Sequence, residues 1–176
     1  MKWNRFTYND THYQLEHLNP FEFVFFQEAT EKKPRKEYSV NVTFSMHCFT
    51  KKIMEGEYYN ELLLYKDKKE EREICFDRYE QSKNLPNIIK ELDVRKCYHT
   101  RHGNYFTVDI SDETKTAKYE IYFMVSKSKE KGKLNLFIQS AYLRSESNNQ
   151  RKKKKPIKFK IILYNTSINK PIKPPQ

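Results

Sequence analysis

Glycine is scarce in this chain of 176 residues, with only Gly56, Gly103 and Gly132. Three glycines so far apart cannot build a phosphate-cradling loop or a dinucleotide fingerprint, and no Gly-x-Ser-x-Gly elbow occurs. Cysteine is scarce as well. Cys48, Cys75 and Cys97 are odd in number and widely spaced, which argues against a disulfide framework and points to a reducing, cytoplasmic setting. Neither Cys-x2-Cys nor His-Glu-x-x-His spacing is present, and Asp77, Asp93, Asp109 and Asp112 are scattered. No metal site and no small-molecule cofactor are therefore expected. No apolar run approaches the roughly eighteen residues of a membrane span. The opening residues, Met1-Lys2-Trp3-Asn4-Arg5, lack the apolar stretch of a signal peptide.

Aromatic rings and positive charge are abundant. Twelve Phe and thirteen Tyr supply a substantial core for one domain, because each ring buries a large apolar area. Formal net charge is +11, unevenly placed. Arg144 to Gln176 holds ten basic residues and one acid, a net of +9. A clustered positive field attracts polyanions. Arg144, Arg151, Lys152, Lys153, Lys154 and Lys155 are the candidate nucleic-acid contacts, and RNA or DNA is the expected partner. The bland alternative is a solvated loop, its lysines reflecting the composition bias of an AT-rich genome.

Residues 1–19 read as a loosely docked arm or short helical entry, ended by Asn19-Pro20. Phe21 to Gln27 is β-prone, and Tyr38 to Met46 alternates with period two, so the pair reads as a hairpin. His47 continues the polar face of that second strand. Leu62 to Tyr65 and Glu73 to Tyr79 are short strand candidates. Residues 83–92 form the clearest helix, with Ser82 as cap, Pro86 in the first turn, and Leu85, Ile88, Ile89 and Leu92 at helical spacing. Asn104–Ile110, Lys118–Ser126, Leu134–Tyr142 and Ile157–Tyr164 then read as a four-strand antiparallel meander, because the connections are too short for crossover helices. The expected fold is thus α+β, dominated by antiparallel strands: one domain over residues 1–167, followed by an extended Pro-rich tail over 168–176.

Metal-free RNA cleavage asks only for a base, an acid and cations around the phosphorane. His47, His99, Arg78, Arg101 and Tyr142 are the candidate catalytic residues. Only histidine titrates near neutrality unperturbed, so His99 is the expected acid or base, with His47 as its partner. Arg78 and Arg101 are forks for phosphate oxygens. His99 and Arg101 lie with His102 in a Gly- and Asn-containing turn, where functional side chains often gather. Ser140, Tyr142 and Arg144 follow Leu134, Leu136 and Ile138 at period two, so an apolar stripe is expected to turn into a polar rim on the same face. Cys97 beside His99 leaves a thiol nucleophile as another reading.

Phe44-Ser45-Met46-His47-Cys48-Phe49-Thr50, Phe76-Asp77-Arg78-Tyr79 and Leu134 to Tyr142 together resemble stretches of small uncharacterised proteins of bacterial prophages and mobile elements. That resemblance implies no particular activity. One helix followed by a four-strand antiparallel sheet with a basic face is similar, at the level of fold, to RelE-like toxin ribonucleases, to which the N-terminal hairpin would be an addition. The sequence therefore leads to a cytoplasmic RNA-directed effector, a metal-independent endoribonuclease toxin or phage-defence protein, controlled by a neutralising or regulatory protein partner and without a membrane. The alternative is a non-catalytic module of a mobile element that binds nucleic acid or protein. Convergence of His47, His99 and Arg78 in space separates the two.

Overall fold

The computed structural model of the chain describes residues 2–31, 34–56, 58–101, 105–111, 117–145 and 155–174. It is an α+β fold built on one large mixed sheet, and its buried apolar residues form a single cluster. No helix among the described residues is long and apolar enough to cross a membrane.

The first nineteen residues are docked rather than loose. Strands β1 (Phe6–Tyr8) and β2 (Thr11–Tyr13) pair as a hairpin. Its turn places Asn9 and Asp10 at φ 46° and 58°, the left-handed pair that a two-residue hairpin turn needs and that Asn and Asp tolerate best after Gly. Trp3, Phe6, Leu15 and Leu18 are buried, and Trp3 meets Phe49 edge-on at 5.5 Å.

The expected hairpin is present as β3 (Phe21–Gln27) and β4 (Lys36–Phe44), antiparallel with Phe21 opposite Val42. Alternation buries Tyr38, Val40, Val42 and Phe44. It stops at Ser45, whose N–H donates to Ile138 O and whose hydroxyl accepts from His47 N–H. Met46–Cys48 is consequently a 3-10 turn, and His47 is not on the strand. A small sheet follows, made of β5 (Thr50–Lys51), β6 (Leu64–Lys66) and β7 (Glu71–Ile74), with β7 central.

Two short helices replace the single one expected. α1 (Phe76–Ser82) occupies most of the stretch read as a strand, and α2 (Leu85–Lys90) follows with Pro86 in its first turn. Leu85, Ile88, Ile89 and Leu92 are buried as their spacing demands. Ser82 caps nothing. It closes α1, with its hydroxyl on Tyr79 O.

The large sheet runs β12-β8-β9-β10-β11-β4-β3. β8 (Lys96–His99), β9 (Tyr105–Ser111), β10 (Ala117–Lys127) and β11 (Lys133–Ser145) form the antiparallel meander, and β11 pairs in parallel with β4. Three of its four strands are those expected. The fourth is β8, because Ile157–Tyr164 does not continue as a strand. After the two-residue β12 (Ile157–Lys158), the chain becomes helix α3 (Phe159–Ser167). Phe159, Ile162 and Leu163, at i, i+3 and i+4, are buried, whereas Ile161, which period two would have buried, is 46% exposed. The packing therefore follows the helical period.

β12 and β3 are opposite edges of the sheet, yet they approach each other because the sheet curls into a half-barrel, with α3 bridging its edges. The bridge is aromatic. The Phe159 ring lies 5.0 Å from Phe25 on β3 and 5.8 Å from Phe123 on β10, and Phe123 stacks on Phe106. The 168–174 segment is held as well: Ile172 packs against the core and its carbonyl accepts from His99. Removing the fully buried Phe159 ring leaves a cavity where three elements meet. Phe159→Ala is therefore expected to lower unfolding stability by about 3–5 kcal/mol, read as a reduced denaturant midpoint; Ile161→Ala, on the outer face of α3, is expected to cost under about 1 kcal/mol.

Candidate functional site

Three of the five candidate catalytic residues share one corner of the molecule, where β4 leaves the sheet. The 3-10 turn at Met46–Cys48 presents His47, whose Nε2 lies 2.6 Å from Glu70 Oε1. The other ring nitrogen, Nδ1, lies outside this pair. Glu70 is positioned by a turn in which Asp67 accepts from the backbone N–H groups of Lys69 and Glu70. Those two donors hold the Asp67 carboxyl below its usual range. Arg72 joins Glu70 to the sheet, its Nη1 3.4 Å from Glu70 Oε2 and its Nε donating to Thr50 Oγ1.

Arg78, on α1, donates from Nη1 to the carbonyls of His47 and Thr50 at 3.2 and 2.7 Å. Its guanidinium lies 5.0 Å over the Tyr142 ring. Tyr142 stacks on Tyr122, their hydroxyls 3.3 Å apart. Tyr122 donates to Glu120, which also takes Arg144 at 3.3 Å.

A β-bulge creates this polar face. Tyr122 pairs with Ser140 but Phe123 pairs with Ile138, so Gln139 is an extra residue in β11. One inserted residue reverses the parity of everything after it. Leu134, Leu136, Ile138 and Ala141 point to the core. Ser140, Tyr142 and Arg144 are on the opposite face from the apolar stripe, not at its end. Glu70, Arg72, Glu120 and Tyr122 complete the corner without a signal of their own in the sequence: the mixed-charge run Glu70-Glu71-Arg72-Glu73 carries no spacing that names a site.

His99 and Arg101 are elsewhere. His99 sits on β8, four strand steps from β4. It is buried on the core face, edge-on to Phe106 at 5.2 Å. Arg101 N–H donates to its Nδ1 at 2.8 Å, so Nε2 bears the hydrogen and donates to Ile172 O at 3.1 Å. Both ring nitrogens are engaged, Nδ1 with the turn that follows β8 and Nε2 with the C-terminal segment, the arrangement of a structural histidine. It shares no hydrogen bond with His47. Arg101 is exposed, at φ 71°. His102 lies outside the described residues.

The thiols are buried likewise. Desolvation pushes Cys48 and Cys97 up to about 12, where the thiolate that a nucleophile needs is absent at neutral pH. Among the described residues no three His, Cys, Asp or Glu side chains gather as a metal site would need.

Basic residues converge at a second place. Arg151, Lys152, Lys153 and Lys154 lie outside the described residues. Lys155 is exposed two residues before β12. Lys158 and Lys160, at the start of α3, line a cavity of about 680 Å³ with Arg35 and Lys36 from the β3–β4 hairpin and with Ile161 and Tyr164. The first turn of α3 carries no acidic residue and no side-chain cap, so the helix dipole adds to the positive field of its lysines.

The family model described as the YjaZ family matches residues 5–167. The chain belongs to the YjaZ family. Protein YjaZ of Escherichia coli (strain K12) is 33% identical over 178 residues, covering 99% of this chain and 96% of that protein. No solved structure matches. The YjaZ match spans both the His47 corner and the basic cavity.

The burial of its thiols sets an expected outcome. A charged disulfide reagent at pH 8 should titrate one thiol of the native protein, the half-exposed Cys75, and all three after denaturation. Rapid native labelling at Cys97 would restore the thiol nucleophile as a reading.

Proposed function

We propose that this protein is a cytoplasmic RNA-binding module that holds its ligand through the cationic surface between α3 and the β3–β4 hairpin. One observation carries this reading. Arg35 and Lys36 come from one segment, Lys158 and Lys160 from another more than a hundred residues away, and the fold brings both pairs to one cavity, with Lys155 exposed two residues before β12. Like charges gathered at such a spot repel one another, and a polyanion removes that cost. Neutralised phosphates release counterions, so binding is expected to weaken steeply with salt.

The supporting measurement is a salt titration of RNA affinity. Replacing Lys155, Lys158 and Lys160 together by Gln should flatten the slope of log K against log salt by about two, three contacts at roughly 0.7 each on a single strand. An unchanged slope would remove this surface from the reading.

A second reading, a metal-independent endoribonuclease, is favoured by the His47–Glu70 pair beside Arg78 and Tyr142. In it His47 takes the ribose 2′-OH proton as the 2′-oxygen bonds to phosphorus and returns it to the 5′-oxygen as the P–O5′ bond breaks, with Arg78 near the developing phosphorane charge. With His99 engaged in the core, His47 carries the proton transfer in this reading. Total RNA incubated in chelator should then be cut by the wild type, and at least about a hundredfold more slowly by His47→Ala. Intact RNA with the wild type leaves the binding module alone.

A further inference from the structure

We infer that the cavity between α3 and the β3–β4 hairpin holds one unpaired nucleotide of an RNA strand, its base against Tyr164 and Ile161 and its phosphate on Lys158 and Lys160. This rests on the RNA-binding reading above and goes further: it names the part of the strand that is recognised and excludes a duplex as the preferred ligand.

A flat basic patch suffices for phosphates alone, since they are contacted from outside. Here the positive charges surround a concavity of about 680 Å³, within the size range of pockets that enclose small organic ligands. Its walls are not uniformly cationic. Tyr164 and Ile161, 43% and 46% exposed, face solvent from α3 and line the cavity with the ring of Pro34. An apolar, partly aromatic wall beside a cationic rim matches a ligand with a planar apolar part and an anionic part. A nucleotide has both. Base-paired nucleotides present only their backbone outward, whereas unpaired ones can be splayed onto an aromatic side chain.

Lys36 organises the wall. Its ammonium lies 5.0 Å from the centroids of both Tyr38 and Tyr164 and 3.5 Å from Ser167 Oγ. It thus stands between a buried ring and an exposed one, tying the hairpin to the last turn of α3 and fixing the Tyr164 ring. A pre-positioned ring loses little freedom when a base stacks on it.

Glu28 is the acid in the lining. It opposes four cations there, so the cavity stays net positive and suits a phosphate better than an acidic peptide's dispersed carboxylates. A peptide would also lack the planar partner for Tyr164.

The test uses the full chain and fluorescence anisotropy, with a labelled twelve-nucleotide RNA lacking self-complementarity and its duplex, at one ionic strength. The single strand is expected to bind more tightly than the duplex. Tyr164→Ala should weaken the single strand by about tenfold, leave the duplex unchanged, and be rescued by Tyr164→Phe, which keeps the ring. Lys158→Gln with Lys160→Gln should weaken both. If Tyr164→Ala leaves single-strand affinity intact, or the duplex binds as well as the single strand, the nucleotide pocket is overturned while the RNA-binding reading stands. If the wild type binds neither RNA, that reading fails instead. AMP titrated alone, followed by tyrosine fluorescence with adenosine and inorganic phosphate as controls, then decides the cavity. Saturable AMP binding lost in Tyr164→Ala upholds it, and its absence overturns it.

Discussion

Phe159 is the point on which the fold closes. A twisted sheet coils as strands are added, and here the coil brings the two edges of seven strands towards each other without joining them by hydrogen bonds. The gap is filled by α3, whose first residue touches Phe25 on one edge strand and Phe123 in the middle of the sheet. Everything at the mouth of the half-barrel depends on that contact. It sets the direction in which α3 leaves β12, and hence the side on which Lys160, Ile161 and Tyr164 emerge opposite the β3–β4 hairpin.

A single inserted residue organises the other end. Without Gln139 as a bulge, the parity of β11 would turn Tyr142 and Arg144 towards the core face. With it, Tyr142 stacks on Tyr122 under the Arg78 guanidinium, and Arg144 reaches Glu120. Arg78 adds a further constraint, since its two bonds to the carbonyls of His47 and Thr50 hold the turn that presents the histidine. The corner is a piece of architecture first. His47, with Nδ1 outside the Glu70 pair, is the group in it with chemistry to spare.

The two histidines that resembled a catalytic pair have been put to different uses. His99 is on the apolar face of its strand, in register with Phe106 and, through it, Phe123. An imidazole there must satisfy both nitrogens: Nδ1 accepts from Arg101 N–H, and Nε2 joins β8 to the segment after α3. Burial likewise makes Cys48 and Cys97 small core residues. Positive charge follows the opposite logic. Lysines stay on the outside, and the fold gathers them from distant segments into one field.

Much of the sheet was legible because alternation needs no partner to be recognised. Tyr38, Val40, Val42 and Phe44 announce a half-buried strand by themselves, and so do the strands of the meander. The face of α2 was legible from Leu85, Ile88, Ile89 and Leu92. The stretch Ile157 to Tyr164 was not, because its apolar residues fit both a period of two and one of 3.6. Only the Phe25 and Phe123 rings waiting above it decided that Ile162, and not Ile161, should be buried. The site shows the same division. Residue types and net charge are properties of the chain, and they pointed to His47, Arg78, Tyr142 and the C-terminal lysines as able to meet an anionic ligand. Which of them stand together was decided by a bulge, a 3-10 turn and the curl of a sheet. These depend on contacts between residues far apart in the chain, and no local pattern records such contacts.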